Sequence, residues 1–300
     1  LLEISSPAAA RAIMQRYGIA ARKSLGQNFL IDRNIIKKIV AAAEMTPDDL
    51  VVEIGPGLGA LTVQAARGAG RVLAVELDRG LIPALAEILA GVENVEVIQG
   101  DALEVDFDGL VAGRTGGAFG RGGKKYKLLA NLPYYITTPI LMRLLLERFN
   151  IALMIIMVQQ EVAARMAAAP GGKDYGALSV AVQYFAEPEA LFRVPGTVFS
   201  PPPGVDSAVI RLLARPVPAV AVRDEETFFK VVRAAFGRRR KTLLNSLAGS
   251  GLGPGKETWR RILAGAGIDP GRRGETLTLA EFASITEGFI GAGIETRNIF

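Results

Sequence analysis

Three hundred residues without one cysteine or histidine exclude disulfides, thiolate or imidazole catalysis, a Ser-His-Asp triad, and cysteine or histidine metal sites. Half of the residues are hydrophobic, enough for one large domain plus a small one; no uninterrupted apolar run reaches ~18 residues and Leu1–Ala20 lacks a signal-peptide layout, so a cytoplasmic protein is expected, with neither membrane nor metal as partner. The net charge of +5 is unevenly spread, because residues 113–127 and 228–247 carry basic side chains and no acid, a distribution that suits a polyanion.

In chain order, residues 7–17 read as a short amphipathic helix opened by Pro7. Residues 22–31 have no clear period and read as an ordered loop, and Asp32 is a candidate N-cap for a helix through Ala43. A strand–turn–helix alternation follows. Leu50–Ile54 is a strand, Gly55–Gly59 a turn and Ala60–Arg67 a helix. Arg71–Glu76 is a second strand with a helix around Leu81–Leu89, and Val95–Gln99 is a third. Lys127–Ala130 is a fourth strand, Pro139–Arg148 a helix, Leu153–Gln159 a fifth strand and Gln160–Ala168 another helix. Such continuous apolar runs are those of buried parallel strands. The alternation predicts an α/β fold with a doubly wound, Rossmann-like sheet. Tyr184–Glu187 and Ser207–Leu213 read as late strands.

Gly109–Lys125 interrupts this pattern with Gly113, Gly116, Gly117, Gly120, Gly122 and Gly123 and reads as a mobile surface loop inserted in the catalytic domain. Arg215-Pro216-Val217-Pro218 reads as a linker. Beyond it the periodicity is helical, over Glu225–Phe236, Arg239–Ala248, Glu257–Ala264 and Leu279–Ile290. The expected organisation is a catalytic domain over residues 1–214 and a small, all-helical, RNA-binding domain over 215–300.

The turn Glu53-Ile54-Gly55-Pro56-Gly57-Leu58-Gly59 lets backbone approach a ligand closely. Gly55, Gly57 and Ala60 also satisfy a dinucleotide pattern, with Glu76 about 20 residues on, so NAD is a fair first reading. Three details favour S-adenosylmethionine. Glu53 lies inside the first strand, Gly59 opens the turn further, and Gly100-Asp101-Ala102 closes the third strand with an acid. Carboxylates suit a cationic sulfonium and repel a pyrophosphate. Glu76 is placed to hold ribose hydroxyls and Asp101 the adenine amine of the donor.

Asn131-Leu132-Pro133-Tyr134 follows the fourth strand. The N6 amine of adenine is a poor nucleophile because its lone pair is delocalised. Two acceptors aimed at its hydrogens draw the nitrogen toward sp3. The Asn131 side-chain oxygen supplies one and a main-chain carbonyl near Leu132 or Pro133 the other. Pro133 stiffens the turn, and Tyr134 can stack on the base. Phe199, ahead of Pro201-Pro202-Pro203, is the candidate for a second apolar wall. The basic segment Lys230, Arg233, Arg238, Arg239, Arg240 and Lys241 is the candidate phosphate contact.

These blocks, together with Lys23-Ser24-Leu25-Gly26-Gln27-Asn28-Phe29-Leu30, Val198–Val209 and Ala235–Leu247, resemble the bacterial small-subunit (16S) rRNA adenine N6,N6-dimethyltransferases, the kasugamycin-susceptibility family. The resemblance implies two methyl transfers to each of two adjacent adenines near the 3′ end of 16S rRNA within the small ribosomal subunit, late in its assembly; a monomer is expected. It implies that Asn28 and Leu30 touch the donor, that Gly55 lies in the donor loop and that Asn131 stands between donor and target amine. Tyr135 departs from the family pattern, where many relatives carry a small polar residue. Two rivals share these motifs: a large-subunit rRNA dimethyltransferase conferring antibiotic resistance, and a non-catalytic rRNA-binding assembly factor. The Arg238–Ser246 segment disfavours the first, and intact Glu76, Asp101 and Asn131 disfavour the second.

Overall fold

The computed structural model describes residues 7–19, 22 and 26–293. Its helices and strands, in chain order, are α1 (Pro7–Arg16), β1 (Phe29–Leu30), α2 (Arg33–Ala42), β2 (Leu50–Ile54), α3 (Ala60–Ala66), β3 (Arg71–Glu76), α4 (Ile82–Ile88), β4 (Val95–Gln99), α5 (Phe107–Thr115), β5 (Tyr126–Asn131), α6 (Thr137–Leu146), β6 (Ile151–Gln159), α7 (Gln160–Ala167), α8 (Ala177–Phe185), β7 (Ala186–Val194), β8 (Phe199–Ser200), β9 (Ser207–Ala214), α9 (Glu225–Phe236), α10 (Leu243–Ala248), α11 (Lys256–Gly265) and α12 (Leu279–Gly291). No helix among the described residues is long and apolar enough to cross a membrane.

Seven strands form one sheet in the order β4-β3-β2-β5-β6-β9-β7. β4, β3, β2, β5 and β6 are parallel, and β9 runs antiparallel to β6. All five residues of β2 are buried, as a strand covered on both faces requires. Val52 pairs with Leu73 on one side and Leu128 on the other. The order reverses between β2 and β5, and such a switch point opens a crevice beyond the carboxyl ends of the strands. One apolar cluster joins Ile36 and Ile39 of α2 to Val51, Leu129 and Ile155. Another joins Ala10 and Ile13 of α1 to Leu58, Leu81 and Leu85. α2 begins where Asp32 accepts the amides of Asn34 and Ile35, both at 2.9 Å, a charge-assisted N-cap.

The chain divides into two compact units, residues 1–163 with 189–214, and residues 164–188 with 215–300. Residue 214 closes the first unit, but 164–188 groups with the later helices rather than with the first 214 residues. Aromatic packing is the reason. The Tyr184 ring lies 5.0 Å from Phe228 and 5.3 Å from Phe229, and its hydroxyl donates to Glu225 at 2.8 Å. Tyr184 therefore belongs to α8, and the strand expected at Tyr184–Glu187 starts only at Ala186.

The loop expected at Gly109–Lys125 is largely ordered. α5 covers its first half, with Asp106 capping the Gly109 amide at 3.1 Å and Phe107 and Val111 buried one turn apart. Gly116 ends the helix at φ +59°, as a left-handed C-terminal glycine does. The rest is pinned by the Asn150 carboxamide, which donates to the Gly120 and Gly123 carbonyls at 2.6 and 3.1 Å. This segment leads into the start of β5, the opposite end from Asn131. The helix expected from Arg239 begins at Leu243. Arg238–Lys241 form a turn instead, with the Lys241 amide donating to the Arg238 carbonyl at 2.8 Å.

Candidate active site

β2 ends in a turn in which Gly55, Gly57 and Gly59 take φ of +71°, +60° and +74°, values that side-chain-bearing residues rarely adopt. A Cβ on Gly57 would also come within 3.1 Å of the Phe29 ring. The turn is tied down by Gly55 donating to the Val75 carbonyl at 2.9 Å and Gly59 to that of Pro56 at 2.8 Å. Its exposed side faces a cleft lined by the ends of β2, β3 and β5, by Gly100–Ala102 and by Gly26–Leu30.

Glu76 ends β3 and is 6% exposed. One carboxylate oxygen accepts the Gly57 amide at 3.1 Å and the other the Asp78 amide at 2.8 Å. Burial pushes its carboxyl above the usual range and these amides pull it back. Glu53, one strand over, is pushed up to about 7, chiefly by burial, which outweighs the pull of the Thr62 hydroxyl, with the neighbouring Glu76 charge adding to it. Its Oε2 is buried without a hydrogen-bond partner. Glu53 lines the cleft, and an orphaned buried acceptor there suits a ligand that brings donors or positive charge. Asp101 also lines the cleft, its Oδ1 holding the Leu103 amide at 2.8 Å. Three acids around a glycine turn fit a cationic ligand and disfavour a pyrophosphate.

On the opposite wall, Asn131 ends β5. Its Nδ2 donates to the Asn28 carbonyl at 3.3 Å, and the Asn28 side chain donates to the Gly26 carbonyl at 3.1 Å. The Leu132 amide is held by the Met157 carbonyl of β6 at 3.2 Å. The Pro133 carbonyl accepts twice within the turn, from the Thr137 hydroxyl at 3.0 Å and the Ile136 amide at 3.2 Å. No hydrogen bond among the described residues takes the Leu132 carbonyl. Of the two carbonyls considered from sequence, Leu132 is therefore the one left available. Tyr134 is half-buried, its hydroxyl 2.7 Å from the Ser207 Oγ.

The cleft thus brings together Asn28, Leu30, Gly55, Glu76, Asp101, Asn131, Leu132, Pro133 and Tyr134. Phe199 is the exception. It is 3% exposed, sits in the core with Val194 and Val209, and does not line the cleft. Its strand β8 pairs with β1, Phe199 opposite Leu30, so it braces the wall that carries Asn28 and Leu30. Sequence reasoning gave no site role to Asp78, which accepts from Gln27 at 2.9 Å and pairs with Arg22 at 3.2 Å. The signal was the acid two residues past Glu76. Lys23, Ser24 and Leu25 lie outside the described residues.

The basic residues belong to the second unit. Arg233, Arg238, Arg239, Arg240 and Lys241 are exposed. Lys230 is not: it is 8% exposed and paired with Glu226 at 2.7 Å, because position 230 falls on the inward face of α9. Arg239 is tied to Glu275 at 3.4 Å and donates to the Lys173 carbonyl.

Residues 18–286 match the family model described as ribosomal RNA adenine dimethylase. The chain is 71% identical over 293 residues to Ribosomal RNA small subunit methyltransferase A of Pelotomaculum thermopropionicum, covering 98% of this chain and 99% of that protein. Among solved structures, a dimethyladenosine transferase from Plasmodium falciparum is similar with a TM-score of 0.74 and 26% identity, over 89% of this chain and 98% of that one. The 23S rRNA methyltransferase ErmE is similar with a TM-score of 0.65 and 28% identity, over 87% of this chain and 99% of that one. An acid-lined glycine turn facing an Asn-Leu-Pro-Tyr turn is what these blocks of sequence build, and with the match spanning residues 18–286 the chain belongs to the ribosomal RNA adenine dimethylase family.

Proposed function

We propose that this protein transfers methyl groups from S-adenosylmethionine to N6 of two adjacent adenines near the 3′ end of small-subunit (16S) rRNA, giving N6,N6-dimethyladenosine late in subunit assembly. It acts as a cytoplasmic monomer, with residues 1–214 holding the catalytic site and the later helices meeting RNA. The observation that carries this reading is the Asn131 carboxamide, anchored through nitrogen to Asn28, on the wall facing Glu53 and Glu76. The 71% identity to the small-subunit methyltransferase A of P. thermopropionicum supports the small subunit as the target.

When bound, S-adenosylmethionine supplies an electrophilic methyl on a sulfonium sulfur. Glu76 holds the ribose, Asp101 the adenine amine, and Asn28, Leu30 and Gly55 the rest of the donor. In the first transfer Asn131 Oδ1 and the Leu132 carbonyl accept the two N6 hydrogens of the target, freeing the nitrogen lone pair; in the second, one of them accepts the single hydrogen left. Tyr134 stacks on the base, worth roughly 1–3 kcal/mol, and its bond to Ser207 fixes the ring. Positioned dipoles and a short approach supply the rate. No side-chain base is required, and the proton passes to water.

Tritium transfer onto purified unmethylated small subunits, naked rRNA and large subunits tests this. Label confined to small-subunit adenines supports it, and label on the large subunit favours the alternative that the ErmE likeness keeps in view.

A further inference from the structure

Tyr135 stands at the lip of the cleft with 55% of its surface exposed. It shares the short turn Tyr134–Ile136 with Tyr134, yet the two rings differ in kind. Tyr134 is half-buried and bonded through its hydroxyl to Ser207. The Tyr135 hydroxyl has no hydrogen bond among the described residues.

The Tyr135 ring is nevertheless held. A Cβ on Gly26 would fall 3.2 Å from Tyr135 Cδ1 and 3.5 Å from Cε1, so the ring rests against glycine backbone. Gly26 sits at φ +56°, which excludes a side chain at low cost. Two residues on, the Asn28 carbonyl anchors Asn131. One short segment therefore backs both the exposed ring and the methyl-transfer carboxamide, fixing the spacing between them. The Tyr135 ring is not buried. It is seated on one side and open on the other, at the entrance to a base-binding cleft.

A base presented to Asn131 has to leave its stack, and its neighbour in the strand is then left with a bare face. We infer that Tyr135 is a stacking platform for the base flanking the target in single-stranded RNA, a subsite next to the acceptor site. This rests on the function proposed above. Stacking of this kind tolerates sequence change, because every base has a π-face, so Tyr135 contributes register rather than base identity.

The test uses Tyr135→Ala, Tyr135→Leu and Tyr135→Phe in the full chain. Each is assayed for methyl transfer to purified unmethylated small subunits, with S-adenosylhomocysteine affinity measured in parallel by calorimetry. The alanine and leucine variants are expected to lose kcat/KM by roughly 5- to 150-fold, and phenylalanine to restore it, while S-adenosylhomocysteine affinity holds within about twofold. Alanine retaining kcat/KM within about twofold overturns the inference. So does leucine recovering as fully as phenylalanine, since the ring would then be a filler for Gly26. A wild-type protein that transfers no methyl sinks the proposed function itself, whereas an active wild type with an indifferent alanine variant sinks only the platform.

Discussion

The Asn131 carboxamide gives its nitrogen to the Asn28 carbonyl at 3.3 Å, and that bond decides which end of the amide is left free in the cleft. With Nδ2 committed, Oδ1 is the free acceptor. Asn131→Ala is expected to lower the rate of methyl transfer by about 10²- to 10³-fold, the usual loss for one preorganised polar group, while RNA and S-adenosylhomocysteine binding stay near normal. Asn131→Asp is expected to fail as well, because a carboxylate cannot donate to Asn28. Single-turnover tritium transfer measured beside binding checks both, and near-normal turnover would remove Asn131 from the chemistry.

Glu53 makes stability fall as pH rises. In the unfolded chain its carboxyl ionises near the ordinary glutamate value of 4.5, while in the folded protein burial holds the proton to about 7. Below pH ~4.5 both states are protonated and there is no penalty. Between those values the folded state binds the extra proton, so stability drops with pH and levels off above the folded value. The accumulated cost is on the order of 3 kcal/mol. Glu53→Gln removes it, so the variant's stability relative to the parent is expected to increase from pH 5 to pH 8. Urea melts of both proteins at the two pH values check this, and parallel curves would show that Glu53 does not titrate in that window.

Much of this arrangement is legible in the residues. α9 runs over Glu225–Phe236, the bounds its periodicity suggests, because Asp224 caps it and Gly237 stops it. The strands β2, β3 and β4 likewise keep their expected bounds to the residue, although β4, at the sheet edge, mixes polar and apolar residues and has none buried. Three things were not legible, each for a physical reason. Ala181–Ala186 is apolar apart from Gln183, and a short apolar run has no period to separate helix from strand; the contacts of Tyr184 with Phe228 and Phe229 decide it. The glycines of 109–125 read as a loop, but the Asp106 cap and the buried pair Phe107 and Val111 outweigh glycine's helix cost over one short helix. In the site, Phe199 and Lys230 have the right chemistry in the right blocks. Only packing shows that one faces the core and that the other is covered and paired with Glu226.

Glu76 joins two segments of the cleft wall, since one carboxylate holds Gly57 in the glycine turn and Asp78 beyond β3. Glu76→Ala removes the acceptor proposed for the ribose and leaves the Gly57 and Asp78 amides without theirs. Its S-adenosylhomocysteine affinity is expected to fall roughly 10- to 100-fold, the range for hydrogen bonds to a charged group, with a lower melting temperature. Glu76→Gln keeps an acceptor oxygen and is expected to lose less on both counts. Calorimetry and thermal melts separate the variants, and unchanged affinity in the alanine form would take the ribose away from Glu76.

The basic segment divides by exposure. Arg240 and Lys241 are exposed and in no ion pair among the described residues, so their charge is available to phosphate. Arg239 already shares its guanidinium between Glu275 and the Lys173 carbonyl, and Lys230 is buried against Glu226. Each phosphate neutralised on a single strand adds about 0.7 to the slope of log K against log salt. Arg240→Ala with Lys241→Ala is therefore expected to weaken rRNA binding and to flatten the slope by roughly 1.4. Lys230→Met is expected to leave the slope unchanged, because its charge is spent inside the protein. Filter binding to unmethylated small-subunit rRNA across a salt series reads both. An unaltered slope in the double variant would take Arg240 and Lys241 out of the interface, and a flattened slope in the Lys230 variant would mean that this side chain swings out to meet RNA.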